Sequence, residues 1–121
     1  MKLYYGPGSC SLASHIVLEE SGLKYEAVRV SLKDKQCATG EDYNTINPKG
    51  YVPCVKLATG ELLTENTALL AYLGERNPDS GLMPAAGTME AYRVREWLGF
   101  ISSELHKVVG PLFRPNTPEA T

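Results

Sequence analysis

Hydrophobic and polar residues along the first part of the chain repeat with two different periods. Alternation with a period of two predicts strands, and apolar residues three and four positions apart predict helices. Polar segments rich in Gly, Pro and Asn separate these stretches. The predicted elements are, in chain order, a strand at 2–5, a helix at 11–21, a strand at 25–32, a polar connection at 33–50 with room for one helical turn, a strand at 52–57, a strand beginning at 62, and a helix that Thr64 caps and that ends before Asn77.

The order of these elements predicts an α/β fold. A β-α-β unit followed by a β-β-α unit gives a small mixed sheet covered by helices, which is the thioredoxin-like arrangement. We therefore predict a thioredoxin-like βαβ-ββα domain over residues 1–77, in which the strand at 52–57 pairs with the first strand.

The pattern changes after position 77. Residues 78–87 contain two prolines and two glycines and predict a linker. Residues 88–109 carry apolar residues at helical spacing and predict one long helix, which Gly110-Pro111 ends or kinks. The apolar face of this helix, which includes Trp97, has too few partners within 121 residues. We expect it to be covered by a second copy, by further helices, or not at all.

Charge and composition exclude several classes of protein. With 12 basic and 14 acidic residues the formal net charge is −2, which argues against a protein that captures nucleic acid or an anionic membrane by charge. No stretch approaches the ~18 consecutive apolar residues of a membrane helix, and the N-terminus lacks the apolar run of a signal peptide. We expect a cytoplasmic protein with neither nucleic acid nor membrane as a partner.

The cysteines support a reducing compartment and focus attention on a single thiol. Cys10, Cys37 and Cys54 are odd in number and lack paired spacing, unlike a secreted disulfide framework. Because the chain has no C-x-x-C or H-x-x-x-H motif, we expect no metal site. The sequence argues against a glutaredoxin-like reductase with a pair of cysteines, since no second cysteine follows Cys10 three positions later. Cys37 and Cys54 are therefore interpreted as structural.

The segment Gly6-Pro7-Gly8-Ser9-Cys10-Ser11 places Cys10 between the first strand and the first helix. Backbone amides at a helix N-terminus favour thiolate over thiol, and the hydroxyls of Ser9 and Ser11 can bind the sulfur or cap the helix. The alternative is that Cys10 is a small filler beside a glycine turn. A phosphate-binding G-x-G-x-x-G loop does not fit, because Ser11 replaces the third glycine and Pro7 lacks a backbone donor.

Val52-Pro53 is a proline bond at the start of a predicted strand. A cis bond here turns the backbone groups of Val52 away from the sheet, where they can pair with an extended peptide. An ordinary trans proline on an edge strand is the commoner arrangement.

Thr64-Glu65-Asn66 opens the helix that follows the fourth strand. Its free backbone amides suit a ligand carboxylate, and the Glu65 side chain suits a ligand ammonium group. Plain helix capping explains the same residues.

Gly99, Ser103 and His106 are spaced by four and three residues and predict a polar stripe along the long helix. A lone histidine in such a stripe is usually structural or solvated. His106 matters only if the stripe faces Cys10. Lys35, in a loop that contains glycine, would ordinarily be a solvated charge.

Together these segments resemble the glutathione S-transferases, and most closely the bacterial beta class, in which a cysteine replaces the tyrosine or serine of other classes. The resemblance spans nearly the whole chain. The motifs that carry it are Tyr4-Tyr5-x-Pro7-Gly8-Ser9-Cys10-Ser11-Leu12, Ile46-Asn47-Pro48-Lys49-Gly50-x-Val52-Pro53, Leu63-Thr64-Glu65-x-x-Ala68, and Glu96-Trp97-Leu98 followed by Glu104-Leu105-His106-Lys107.

The resemblance implies which residues bind the cysteinyl part of glutathione. Cys10 matches the catalytic residue that lies against the glutathione sulfur and forms a mixed disulfide with it, and His106 matches the second catalytic polar group. Val52 would pair its backbone with the cysteinyl unit, next to the cis proline Pro53. Ser11 would support the sulfur site.

The resemblance also implies residues for the two ends of glutathione. Glu65 and Asn66 would hold the γ-glutamyl ammonium and carboxylate, and Lys35 the glycyl carboxylate. Ser103 and Glu104 match positions that reach the ligand from the long helix, from the same or another subunit. Glutathione is then a co-substrate, no metal is needed, and a homodimer is expected.

The chain departs from the family pattern in two places. Gly99 stands where the family commonly has Asn, so a side-chain contact is missing. The family's second domain is an all-helical bundle, and residues 88–121 cover only its first helix, as if the chain were truncated there. The resemblance implies a detoxifying glutathione transferase that conjugates the glutathione thiol to electrophiles, with thiol-disulfide exchange through Cys10. The alternative is a non-catalytic binder of glutathione or hydrophobic ligands, because the bundle is incomplete.

Overall fold

The structure, a computed structural model, describes residues 1–119. Its first part contains four strands and three helices in the predicted order. They are β1 (Lys2–Tyr5), α1 (Ser11–Ser21), β2 (Glu26–Arg29), α2 (Tyr43–Ile46), β3 (Cys54–Lys56), β4 (Leu62–Thr64) and α3 (Asn66–Arg76). The short helix α2 occupies the polar connection, where the sequence left room for one helical turn.

The four strands form one mixed sheet in the order β2-β1-β3-β4. β1 pairs parallel with β2 and antiparallel with β3, so that Leu3 lies between Ala27 and Val55. β3 pairs antiparallel with β4. The predicted thioredoxin-like fold is confirmed, including the pairing of the third strand with the first.

Each face of the sheet has its own core because side chains alternate along the strands. On one face, Leu3 and Val55 pack with Leu18 of α1 and Leu69 and Leu73 of α3. The opposite face carries a second cluster around α2, formed by Tyr4, Val28, Val30, Cys37, Tyr43, Val52 and Cys54. The sheet is therefore covered on both sides, and α1 and α3 share one of them.

Three predicted boundaries differ from the structure. β2 ends at Arg29 rather than at position 32, and Val30 forms only an isolated bridge with Cys37, because the chain turns back over residues 31–37. β3 begins at Cys54, after the Val52-Pro53 bond. Thr64 ends β4 instead of capping α3, whose N-cap residue is Glu65.

The 78–87 segment is more ordered than an open linker. It begins with a 3₁₀ turn at Pro78–Ser80, and Met83 is buried. A Cβ atom at Gly74 of α3 would lie 3.0 Å from the Cβ of Met83, so this segment packs closely on α3. Asn77, at the C-terminal end of α3, donates a hydrogen bond to the Ser21 carbonyl.

The predicted long helix consists of consecutive segments with different hydrogen-bond patterns. Thr88 caps α4 (Met89–Phe100), which continues as a π-helical turn at Ile101–His106 and as α5 (Lys107–Val109). The α-helix ends at Val109, as predicted, and a 3₁₀ turn follows at Gly110–Phe113. Positions 120 and 121 of the predicted 88–121 segment lie outside the described residues. Over residues 1–119, every helix is too short or too polar to cross a bilayer.

Candidate active site

Cys10 is the N-cap residue of α1, at the end of a loop that serine hydroxyls hold in place. The Ser11 hydroxyl is buried and bonds both the amide and the carbonyl of Gly6, at 3.0 and 3.1 Å. Ser9 donates to the same carbonyl at 2.7 Å and bonds Ser11. The two hydroxyls therefore order the loop rather than binding the sulfur, which corrects one of the two roles predicted for them. Ser11 thus fixes the backbone beside Cys10, and its support of a glutathione sulfur site stays a prediction.

The Cys10 thiol is half-buried and donates a long hydrogen bond, 3.6 Å, to the carbonyl oxygen of Val52. Burial raises the pKa of Cys10 above its ordinary value, and the Glu65 carboxylate raises it further, although the backbone amide of Cys10 acts in the opposite direction. The sequence predicted that the helix N-terminus would favour thiolate. The amide of Cys10 does act in that direction, but burial outweighs it, so the pKa of Cys10 is raised overall.

Val52 and Pro53 lie beside Cys10 and are joined by a cis peptide bond. Both are buried, and both precede β3, so the backbone of Val52 is outside the sheet ladder. The preceding carbonyl, of Tyr51, accepts hydrogen bonds from the Tyr43 hydroxyl at 2.7 Å and from Asn47 Nδ2 at 2.9 Å. The Tyr51 carbonyl therefore fixes this segment to the core, while the carbonyl of Val52 accepts from the Cys10 thiol.

Glu65 adopts a left-handed backbone conformation, with a φ angle of 74°. Such angles are unusual for residues other than Gly and cost about 1–3 kcal/mol, and they concentrate at functional sites. The exposed Glu65 carboxylate accepts a hydrogen bond from Lys49 Nζ at 3.3 Å, and the same ammonium donates to Thr64 Oγ1 at 3.0 Å. The conformation places a carboxylate directly at the N-terminus of α3, where the first backbone amides lack helical partners.

Asn66 joins the N-terminal ends of α1 and α3. Its Nδ2 donates to the Cys10 carbonyl at 2.8 Å, and its Oδ1 accepts from the buried Ser14 hydroxyl at 2.7 Å. Both polar atoms of the side chain are thus used within the protein. Nδ2 carries a second N–H, so the Asn66 side chain keeps one donor besides the one that binds Cys10.

These groups line one polar cavity of about 360 Å³. Its volume lies within the range of small-molecule sites, about 300–1,000 Å³. The lining residues are Cys10, Asn47, Lys49, Tyr51, Val52, Pro53, Thr64, Glu65, Asn66, Ser102, His106 and Arg114. The cavity therefore combines a thiol, an imidazole, a carboxylate and two basic side chains around the backbone of Val52.

A second, apolar cavity of about 570 Å³ adjoins the polar cavity. The two share Cys10, Asn66, Ser102 and His106. Most of the remaining lining is aliphatic and comes from α1, α3 and the helical segment at 98–109: Leu12, Ala13, Ile16, Leu70, Leu98, Ile101, Leu105 and Val109. Cys10 and His106 thus lie at the junction of a polar and an apolar site.

The described part of the chain contains no group of three or more His, Cys, Asp and Glu side chains that could hold a metal ion. Its three cysteines are free thiols.

Comparison with known proteins identifies the family of this fold and site. A family model described as the N-terminal domain of glutathione S-transferase matches residues 8–76, more than half of the chain. The chain belongs to the glutathione S-transferase family. Glutathione S-transferase GstA of Escherichia coli O157:H7 is 50% identical over 119 residues, which are 98% of this chain and 59% of that protein.

Solved glutathione S-transferase structures agree with this assignment. A sphingomonad enzyme complexed with glutathione superposes with a TM-score of 0.96 at 49% identity, over 99% of this chain and 60% of that one. A beta-class enzyme of Sphingomonas chungbukensis gives 0.95 at 47% identity, with the same coverage. The chain therefore spans about 60% of the length of these relatives. The thioredoxin-like family fold is established over the described residues.

The structure brings most of the residues that the glutathione S-transferase resemblance predicted into one place. Cys10, Val52, Glu65 and His106 all line the polar cavity, as do Pro53 and Asn66. Their individual roles toward glutathione remain predictions.

Three predicted glutathione-binding residues lie outside the cavity lining. Lys35 Nζ donates to the Gly50 carbonyl at 2.8 Å. Ser103 and Glu104 are exposed, and the Ser103 hydroxyl donates back to the Gly99 carbonyl at 2.9 Å. The expected stripe assumed α-helical spacing, but the π-helical turn changes which residues share a face. Ser102, four positions before His106, shares a face with it in either kind of helix and lines the cavity, whereas Ser103, three positions before, does not.

Sequence reasoning missed several residues of the cavity. The sequence places Lys49 only within the motif that contains Val52, and the predicted polar stripe contains Ser103 rather than Ser102. Arg114 lies in a tail segment without a packing pattern, yet it lines the polar cavity. Lys49 carries a usable signal, because it lies three positions before Val52, whereas Arg114 has none.

Proposed function

We propose that this protein is a glutathione transferase, which conjugates the glutathione thiol to electrophilic substrates. One observation carries the proposal: a single polar cavity surrounds the backbone of Val52 with the Cys10 thiol, the Glu65 carboxylate and the His106 imidazole. Glutathione offers a group for each of them, namely a cysteinyl backbone, a thiol and a γ-glutamyl ammonium. Membership of the family supports the same conclusion.

Glutathione would lie across the N-terminal ends of α1 and α3. The Glu65 carboxylate binds the γ-glutamyl ammonium, and the free backbone amides of α3 bind the γ-glutamyl carboxylate. The Val52 backbone pairs with the cysteinyl unit as an added strand would. This orientation brings the glutathione sulfur to Cys10 and His106, at the junction with the apolar cavity.

Cys10 acts mainly as a neutral thiol at neutral pH, because burial and Glu65 raise its pKa. Its S–H group donates to the Val52 carbonyl. With glutathione bound, the same S–H group and His106 donate to the glutathione sulfur and favour its thiolate. The thiolate then attacks an electrophile held in the apolar cavity, whose aliphatic lining suits a hydrophobic co-substrate.

Cys10 also supports thiol-disulfide exchange, at a pH where its thiolate is populated. Its thiolate attacks one sulfur of oxidised glutathione, so that a Cys10–glutathione disulfide forms while the original disulfide breaks. One glutathione leaves as thiolate and takes up a proton.

Two measurements on this chain test the proposal. Turnover of a chlorinated nitroaromatic with glutathione, beside calorimetric binding of glutathione, is expected for a transferase. Tight binding without turnover would instead support the non-catalytic binder. Unchanged glutathionylation of a Cys10→Ala variant by oxidised glutathione would contradict the role of Cys10, because Cys37 and Cys54 are buried.

We propose further that a second copy covers part of the long helix, as in a homodimer. Trp97, Phe100 and Val108 expose large apolar surfaces, which usually mark interaction sites. Sedimentation of the chain as a monomer at micromolar concentration would refute this. The division into a glutathione-binding domain at 1–77, a linker and a helical segment, the cytoplasmic location and a role in detoxification belong to the same proposal.

A further inference from the structure

Helices α1 and α3 are joined at both ends by asparagine side chains. At the N-terminal ends, Asn66 Nδ2 donates to the carbonyl of Cys10, the N-cap residue of α1, at 2.8 Å. At the C-terminal ends, Asn77 Nδ2 donates to the carbonyl of Ser21, the last residue of α1, at 2.7 Å. The two helices therefore run parallel, and their N-termini lie side by side.

The polar cavity lies at the N-terminal end of this helix pair and not at its C-terminal end. At the N-terminal end, Cys10 follows the first strand and Glu65 precedes α3, and both line the polar cavity. The C-terminal end lies at the opposite end of α1, eleven residues away. The same kind of hydrogen bond thus occurs once at the site and once remote from it.

We infer that Asn66 is a positioning residue that sets the distance between the thiol site at Cys10 and the γ-glutamyl site at Glu65. The inference rests on the proposed function. The thiol and the γ-glutamyl group of glutathione are joined covalently, so the ligand reaches both sites only when the two helix N-termini keep one spacing.

The surroundings of Asn66 make it suited to this role. Its Oδ1 accepts from Ser14, which lies one turn after Cys10 and is fully buried. The side chain is therefore held at two points on α1 while its backbone belongs to the first turn of α3. Loss of the amide would free the two N-termini to move relative to each other, and displacements of about 1 Å at a reacting centre cost up to about 100-fold in rate.

Two disulfide reagents separate positioning from general damage. Oxidised glutathione carries the γ-glutamyl group, whereas bis(2-hydroxyethyl) disulfide has none and needs only access to Cys10. In both reactions the Cys10 thiolate displaces one half of the reagent as a thiolate, so the same bond forms and breaks. Rates of mixed-disulfide formation at pH 8.5, assigned to Cys10 by peptide mass, give a ratio of the two reagents for each variant.

For Asn66→Ala we expect the rate with oxidised glutathione to fall about 10- to 100-fold, with the rate of the small reagent unchanged within about twofold. Asn77→Ala removes the equivalent bond at the other end of α3 and should leave the ratio at the wild-type value. Ser14→Ala removes only one of the two Asn66 contacts, so its ratio should fall less. This variant also provides the test if Asn66→Ala does not fold.

The outcomes are distinct. An Asn66→Ala ratio equal to that of Asn77→Ala would overturn the inference, and so would an unchanged Ser14→Ala ratio if Asn66→Ala is unfolded. A wild-type protein that neither binds glutathione nor prefers its disulfide would refute the proposed function, and the inference with it. A selective loss in Asn66→Ala with a smaller selective loss in Ser14→Ala supports both. A selective loss in Asn66→Ala with a wild-type ratio in Ser14→Ala would indicate direct contact of Asn66 with the ligand and would overturn the inference.

Discussion

Replacing Glu65 with Gln should change ligand binding and thiol reactivity in opposite directions. The Glu65 carboxylate contributes to the raised pKa of Cys10, so its neutralisation should lower that pKa and make Cys10 more reactive near neutral pH. The same change removes a charged acceptor for the γ-glutamyl ammonium. A hydrogen bond to a charged group is worth about 1.5–3 kcal/mol, which corresponds to about 10- to 160-fold weaker glutathione binding.

The effect of this substitution on stability should be small. The Lys49–Glu65 pair spans 3.3 Å, and its side chains are 57% and 68% exposed. Exposed pairs contribute about 0–1 kcal/mol, so the unfolding free energy should fall by less than about 1 kcal/mol. A larger loss would mean that Glu65 supports the fold in another way.

Two assays measure the opposing effects. Calorimetry gives the dissociation constant of glutathione, and the pH dependence of alkylation by iodoacetamide, assigned to Cys10 by mass, gives the pKa of the thiol. At an ordinary pKa near 8.5, about 3% of a thiol is ionised at pH 7, and wild-type Cys10 should have less. Its alkylation rate should therefore rise about tenfold between pH 7 and pH 8. A wild-type plateau by pH 8 would refute the pKa reasoning, as would a Glu65→Gln profile that does not shift to lower pH. Glu96→Gln, on the exposed side of α4, is the matched control.

Three further predictions concern stability and charge. An added Cβ at Gly99 has open space, so Gly99→Ala should stabilise the chain by up to about 1 kcal/mol. An added Cβ at Gly74 crowds Met83, so Gly74→Ala should be about 1–3 kcal/mol less stable than Gly99→Ala in urea titrations. Burial raises the pKa of Cys54 in the folded protein. The stability that the protonated thiol contributes is therefore complete below the unfolded pKa of about 8.5, and it is lost as the pH rises through the higher folded value. The urea midpoint should therefore drop above pH 9, by less in Cys54→Ala, and equal drops would contradict this. Arg114→Gln should weaken glutathione binding about 3- to 10-fold at low salt, with a smaller difference at high salt, because it removes a cation from the polar cavity. Salt-independent calorimetric affinities would argue against that account.

The order of strands and helices was predictable because each element has its own hydrophobic period. Leu3 and Val55 face one core while Tyr4 and Cys54 face the other, and that alternation is visible along the chain. Element ends were less predictable. Thr64 is a residue type that commonly caps helices, but it pairs with Cys54 and therefore belongs to β4. Glu65 is the N-cap residue instead, in a backbone conformation that local propensity disfavours.

The sequence predicted the cavity residues that belong to short motifs beside a turn or a helix start, such as Cys10, Val52 and Glu65. It was less predictable along the long helix, where an assumed period of 3.6 residues grouped His106 with Ser103. The π-helical turn keeps Ser102, four positions before His106, on the same face and moves Ser103 away from it. Arg114 carries no local pattern, so only the path of the chain after Val109 could place it beside the cavity.

The sequence by itself determined the thioredoxin-like fold, the pairing of the central strands and which thiol lines the polar cavity. These follow from local periods, turns and helix ends, which neighbouring residues control. The tertiary structure decided the protonation of that thiol and the partners of its loop. Burial against Val52 and the Glu65 charge, 55 positions away in the chain, raise the pKa of Cys10, while Ser9 and Ser11 bind Gly6 instead of the sulfur. Desolvation and charge act through space, so no pattern along the chain could set their balance.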